Sequence, residues 1–149
     1  MSSRYGLGIR AATPADAPGV AELLAGAGQM TGAAALANRL EVLTRAQGTV
    51  LLALEWGPPS GIIVLNWIPT LAADGPVAVI GTLFVGIEDR RRGIGRMLLK
   101  AGAQAARSAG CGDLMLLQGP DQPGLRDFAL ANGFAESGTS LVRGLRKRS

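Results

Sequence analysis

Apolar positions along the chain change period several times. Residues Leu7 to Ala11 alternate briefly, and Thr13-Pro14-Ala15-Asp16 then offers a cap candidate with a proline at the first helical position. Val20, Leu23, Leu24 and Ala27 follow at helical spacing, and after a glycine-rich break over 26–32 a second helical set has Leu36, Leu40 and Leu43. The pattern then turns to strands. Val50 to Trp56 and Ile62 to Trp67 flank Gly57-Pro58-Pro59-Ser60-Gly61, a hairpin with a longer loop, and Asp74-Gly75-Pro76 leads into a third run, Val77 to Val85. From Gly93 the period is helical again, with Ile94, Met97, Leu98, Ala101 and Ala105 on one face and Ala109-Gly110 as the stop. Leu114 to Leu117 reads as a short buried strand, and strand, helix, strand forms a crossover that sets it parallel to 77–85. Gln122 to Ala131 reads as a last short helix stopped by Asn132-Gly133, with strand from Phe134 onward and Leu141 to Leu145 the final one.

These elements predict an α/β (α+β) protein: a mixed, mostly antiparallel sheet flanked by helices, in a single domain over 1–149 with no repeat and no dividing linker. With 48% hydrophobic and 17% charged residues, 149 residues suffice for a real core. The long uncharged stretch from Trp56 is broken by Gly57-Pro58-Pro59 and Ala73-Asp74-Gly75-Pro76, so it reads as strands and turns and not as a membrane span. The segment before the first strand has no apolar run of signal-peptide length, which leads to the expectation of a cytoplasmic protein.

Composition also removes several kinds of chemistry. No His and one Cys leave a zinc site almost without ligands, exclude a histidine-based triad or general base, and rule out an internal disulfide. The net charge of +4 is concentrated in Arg90 to Arg96 and the tail from Arg143, while aromatic residues make up only 4%. That favours one anionic ligand over a nucleic-acid surface.

The most informative stretch is Glu88-Asp89-Arg90-Arg91-Arg92-Gly93-Ile94-Gly95-Arg96, at the mouth of the apolar helix. A helix start presents unpaired N–H groups and a positive dipole end, and glycine lets an anion approach them closely. Two other phosphate motifs fit less well. A dinucleotide fingerprint needs a third glycine where Leu98 stands, although Asp113 lies at about the expected distance for its acid. A nucleotide-hydrolase loop needs Gly-Lys followed by Ser or Thr, and that is missing.

Strand, Arg-x-x-Gly-x-Gly and apolar helix in this order resemble the acyl-CoA-binding motif of the GNAT family of N-acetyltransferases. "GIRAATPADAPGVAELL" resembles that family's first strand and helix, "VLLALEWGPPSGIIVLNW" its second and third strands, and "FALANGF" its last helix and turn. The resemblance covers nearly all of Leu7 to Leu145. It implies an acyl-CoA N-acyltransferase-like fold whose sheet splits between strands 4 and 5, and an acetyl-CoA-dependent transfer to the amine of a small molecule or peptide. By the same resemblance, amides at Arg91, Arg92, Gly93, Ile94, Gly95 and Arg96 would hold the coenzyme A pyrophosphate, with the Arg90, Arg91 and Arg92 side chains adding charge. Val85, Gly86 and Ile87 would meet the pantetheine arm and the thioester carbonyl. Gln122 stands where many relatives have an asparagine on that arm, and Phe128 would pack beside the coenzyme. The terminal strand, Leu141 to Leu145, would pair across a homodimer.

The sequence departs from the family at two catalytic positions. The usual tyrosine acid is replaced by Ala129, and the usual strand-4 carboxylate by Gly81. Catalytic groups are therefore unknown from sequence, with Glu88 and Asp121 as weak candidates. For Glu88 and Asp89, neutralising the neighbouring arginines is the simpler role; Glu55 is a further acid near the cleft, and Tyr5, the only tyrosine, precedes the first strand. Cys111 lies far along the chain from the strand that would hold the thioester. The different function these departures suggest is a coenzyme A binding sensor or partner module with little catalysis.

Overall fold

A computed structural model describes residues 6–90, 92–117, 124–138 and 140–146. The chain divides into a larger unit, Met1–Leu117, and a smaller one, Gln118–Ser149.

The larger unit is organised around a strand that is apolar on both faces. In order it contains β1 (Gly8–Ala11), a 3-10 turn at Pro14–Asp16, α1 (Ala17–Ala25), α2 (Ala33–Arg45), β2 (Gly48–Leu54), β3 (Gly61–Ile68) and β4 (Val77–Val85). A second 3-10 turn, Ile87–Asp89, then leads to α3 (Ile94–Ser108) and β5 (Asp113–Leu116). The sheet order is β1-β2-β3-β4-β5, antiparallel throughout except for the parallel β4–β5 pair. The antiparallel meander and the one parallel crossover are as expected, because hairpin loops can join only antiparallel neighbours and a helix must intervene before a parallel one.

β3 is the central strand, and Ile62, Ile63, Val64 and Leu65 are all buried. Successive side chains point to opposite faces. Ile62 and Val64 join Val50, Leu52 and Phe84 beneath Val20, Leu23, Leu36 and Leu40 of α1 and α2. Gly61, Ile63 and Leu65 turn to the other face, where they meet α3. An uninterrupted apolar run is what a strand covered on both faces requires.

The buried face of α3 differs from the expected one. Ile94 and Leu98 are buried as expected, but Leu99, Gly102 and Ala106 complete the face in place of Met97, Ala101 and Ala105. The reason is Gly102: a β-carbon there would lie 3.0 Å from Leu65 Cδ1 and 3.2 Å from Ile63 Cδ1, so the missing side chain lets the helix settle on β3. A count of apolar letters does not register glycine as a contact residue. α3 ends as read, with Gly110 at φ +87° donating its N–H to Arg107 O at 3.0 Å.

β1 is fastened to the start of α1 by Arg10, whose guanidinium grips both carboxylate oxygens of Asp16 at 2.7 and 2.9 Å. The same carboxylate accepts the Thr13 N–H at 2.8 Å. The hydrogen bond from Arg10 is the chief reason that the Asp16 carboxyl titrates at about 2, below its ordinary 3.8.

Three other expectations need correction. β5 is not buried: none of its four residues is, and Met115 and the following Leu117 are each 49% exposed. In the smaller unit the last helix, α4 (Leu125–Ala131), starts after Gly124 at φ +87°, three residues later than the pattern suggested, and stops at Gly133 as expected. Residues 134–138 and 140–146 are not strand, and Leu141, Val142 and Leu145 are 93%, 94% and 90% exposed. A strand needs a neighbouring chain for its N–H and C=O groups, and among the described residues this segment has none. Among the described residues no helix is long and apolar enough to cross a membrane.

Candidate active site

The site begins with an irregularity in β4. Val64 pairs with Thr82 and Leu65 with Ile80, so Gly81 is an extra residue on β4, a β-bulge. At the same point the parallel ladder ends: Val77 to Ile80 pair with Asp113 to Leu116, and the Leu117 N–H closes the ladder on Ile80 O at 3.1 Å. β4 continues to Val85 alongside β3. Among the described residues the β4–β5 ladder thus ends at the bulge, while β4 runs on along β3.

Main-chain direction at the end of β4 follows from its pairing. Gly86 donates its N–H to Ser60 O at 2.8 Å, on the β3 side. Alternation in an antiparallel ladder turns the Val85 N–H and C=O to the opposite edge. There the Val85 carbonyl accepts Arg90 Nε at 3.3 Å, while the Arg90 guanidinium lies 5.9 Å from the centre of the Phe84 ring. Gly86 is confined: a β-carbon on it would lie 3.2 Å from Asp89 Oδ2 and 3.4 Å from Leu23 Cδ1. Ile87 is 59% exposed and opens the 3-10 turn to Asp89.

The start of α3 stands at the same end of the sheet. Gly93 occupies the N-cap in the left-handed region, φ +78° and ψ +11°, a conformation in which glycine carries no penalty. Among the described residues no side chain caps the helix, and its first turn has no acidic residue. Met97 N–H bonds Gly93 O at 3.0 Å, so the N–H groups of Ile94, Gly95 and Arg96 come ahead of the first helical bond and lie at the positive end of the dipole. Ile94, 1% exposed, pins this end to the sheet: a β-carbon on Gly61 would lie 3.2 Å from its Cγ2 and 2.9 Å from Leu98 Cδ1.

Arg92 is bound on two sides. Its Nη2 pairs with Glu55 Oε1 at 2.9 Å and its Nη1 with Asp89 Oδ1 at 2.9 Å. Glu55 above all, then Asp89, hold the guanidinium pKa above its ordinary value. Asp89 thus neutralises an arginine, as its place in the sequence suggested. Glu55 does the same across the sheet, a pairing that sequence reading missed; its position just past β2, at the end where β4 meets α3, was the available signal.

Val85, Gly86, Ile87, Arg90, Arg92, Gly93, Ile94, Gly95 and Arg96 are therefore consecutive or nearly so around one end of β4 and α3. Arg91, Asp121 and Gln122 lie outside the described residues, as do Tyr5 and the Glu88 side chain. Phe128 belongs to α4 of the smaller unit and is half-buried, and Ala129 beside it is buried. Gly81 is exposed, with open space where a β-carbon would stand. Cys111 follows the other end of α3, and burial pushes its thiol pKa up.

A bulged strand that runs on past the end of its parallel ladder, beside an open, glycine-rich helix start, can take an extended chain along the strand and an anion at the helix. Comparison with known proteins agrees with that geometry. The model of the acetyltransferase (GNAT) family matches residues 26–134. A candidate acetyltransferase of Arthrobacter sp. FB24 is 32% identical, with 99% of this chain and 100% of that one covered at a TM-score of 0.74. Two further structures share the fold. A ribosomal-protein-alanine N-acetyltransferase of Brucella melitensis is 21% identical, with 93% of this chain and 99% of that one covered at a TM-score of 0.75. An aminoglycoside acetyltransferase from an uncultured soil metagenomic sample, in complex with sisomicin, is 20% identical, with 95% of this chain and 97% of that one covered at a TM-score of 0.76. No curated protein matches the chain.

Proposed function

The chain belongs to the acetyltransferase (GNAT) family, and on that footing we propose that it transfers an acetyl group from acetyl-CoA to the amine of a small molecule or peptide, in the cytoplasm. The observation that supports this most is the coincidence of the Gly81 bulge, the end of the β4–β5 ladder at Ile80 and the uncapped start of α3 behind Gly93. The diphosphate would be held by the amides of residues 91–96, with Arg90, Arg91 and Arg96 nearby; Arg92 would contribute its amide, because its side chain is committed to Glu55 and Asp89. The pantetheine arm would run along Val85, Gly86 and Ile87, with Gln122 and Phe128 assigned to the arm and the coenzyme by the family pattern.

In the reaction the amine nitrogen forms a bond to the thioester carbonyl carbon, the carbon–sulfur bond breaks, the nitrogen loses a proton and the departing thiolate takes one up. The Val85 edge would receive the carbonyl, and holding the two reactants together would lower the barrier by several kcal/mol. Ala129 and Gly81 cannot act as acid and base, so proton transfer falls to water or to the acids Glu88 and Asp121. An acceptor amine of low pKa suits such a site.

The test is a calorimetric titration with coenzyme A and acetyl-CoA, followed by thiol release over a panel of amines. Binding with amine-dependent release supports the proposal. Binding without release over a broad panel would favour a coenzyme A sensor, and no binding would end both readings.

A further inference from the structure

We propose that Glu55 is a positioning residue for the anion-binding turn, acting through Arg92; this deepens the reading above and rests on it. The turn between β4 and α3 lacks the devices that usually fix a helix entry. Its N-cap is a glycine in the left-handed region, and among the described residues no side chain bonds to the first-turn amides. Among the described residues two side chains from within it do the fixing: Arg90 returns to Val85 O at 3.3 Å, and Arg92 reaches out to two carboxylates.

The two carboxylates differ in what they can constrain. Asp89 is three residues from Arg92, so their 2.9 Å contact fixes only the local shape of the turn. Glu55 follows β2, two strands away in the sheet, so the 2.9 Å Arg92–Glu55 contact ties the turn to the sheet itself. Glu55 is also the less exposed acid, with 18% of its side chain accessible against 27% for Asp89 and 42% for Arg92. A partly shielded pair between separate elements is less weakened by solvent than an exposed local one. Its effect falls on a ligand that the turn binds through amides, whose hydrogen bonds need donor–acceptor distances of about 2.7–3.2 Å. Glu55 touches neither the anion nor the reacting atoms; it determines where the amides stand. The +1 of Arg92 is meanwhile matched by two carboxylates, so the turn's attraction for a diphosphate comes from its amides and from the other arginines.

The experiment compares wild type with Glu55→Gln, Arg92→Gln and the double variant, each checked for folding by its melting temperature. Donors are acetyl-CoA and S-acetylpantetheine, which has the arm and thioester but no diphosphate. Glu55→Gln is expected to weaken coenzyme A about tenfold and to lower kcat/KM for acetyl-CoA about tenfold more than for S-acetylpantetheine. In the Arg92→Gln background the Glu55→Gln change should have no further effect. Equal loss with both donors and a displaced pH profile would overturn the inference, because Glu55 would then act at the reacting atoms. Tighter coenzyme A binding by Glu55→Gln would also overturn it, by showing that the acid competes with the diphosphate. If wild type itself binds no coenzyme A, the functional reading fails first and this inference fails with it; wild-type binding with an unaffected Glu55→Gln overturns the inference alone.

Discussion

Gly61→Ala puts the placement of the anion-binding helix to the test. A β-carbon at 61 would lie 2.9 Å from Leu98 Cδ1, 3.1 Å from the Phe84 carbonyl oxygen and 3.2 Å from Ile94 Cγ2, all closer than ordinary contact. The carbonyl is backbone within the β3–β4 ladder and cannot yield, so the helix must, through Ile94 and Leu98 in the first two turns of α3. Overpacking of this kind costs about 1–3 kcal/mol, offset by about 0.5–1 kcal/mol from replacing a strand glycine. A net loss of about 1–2 kcal/mol lowers Tm by about 2–8 °C in a chain of this size. Because the shift occurs at the helix start, coenzyme A should bind about tenfold more weakly, a change of about 1.4 kcal/mol.

Gly102→Ala is the matched control. It meets the same sheet through Leu65 and Ile63, at 3.0–3.3 Å, but only through methyl ends and about 12 Å further along the helix. Its strain is offset by about 1 kcal/mol of helix propensity, and coenzyme A affinity should stay at the wild-type value. Thermal melts and calorimetric titrations of both variants decide the matter. Unchanged affinity in Gly61→Ala, or equal weakening in Gly102→Ala, would refute the claim that Gly61 sets the position of the amides.

Other expectations address the anion site, the missing base and acid stability. Gly95→Asp should abolish measurable coenzyme A binding while the fold persists, since it adds a negative charge among the first-turn amides; retained affinity by calorimetry would displace the diphosphate from this helix. Gly81→Glu has open space for its β-carbon and no left-handed backbone to strain. It should leave Tm nearly unchanged and raise amine-dependent thiol release tenfold or more, as a general base contributes about 10²–10⁴; an unaltered rate would show that the acceptor nitrogen is out of its reach. Asp16→Asn should cost about 1 kcal/mol at pH 7, reduced from the full shift because Arg10 is half exposed. The folded-state pKa of Asp16 is depressed to about 2, so its contribution is present above about 4 and disappears as pH falls through 2. Urea unfolding of both proteins should therefore converge near pH 2, and a gap that persists there would contradict the assignment.

The sequence by itself determined the parts that depend on neighbours along the chain. The β2–β3–β4 meander follows from apolar runs separated by Gly and Pro, and the parallel β5 follows from the helix placed before it. The glycine-rich entry to α3 was legible for the same reason, because left-handed backbone at residue 93 and open amides behind it are local needs with a local signature. Tertiary structure decided what depends on distant partners. Gly102 lies on the buried face of α3 only because Leu65 and Ile63 stand opposite it, and nothing within the helix encodes that. The same holds for Gly81, whose role as a bulge exists only in register with Val64 and Leu65. Glu55 and Arg92 are 37 residues apart in sequence, and nothing local to either one identifies the other as its partner. They meet because the hairpin and the β3–β4 ladder return β2 and β4 to the same end of the sheet, where an ion pair depends on the separation in space and not on the separation along the chain.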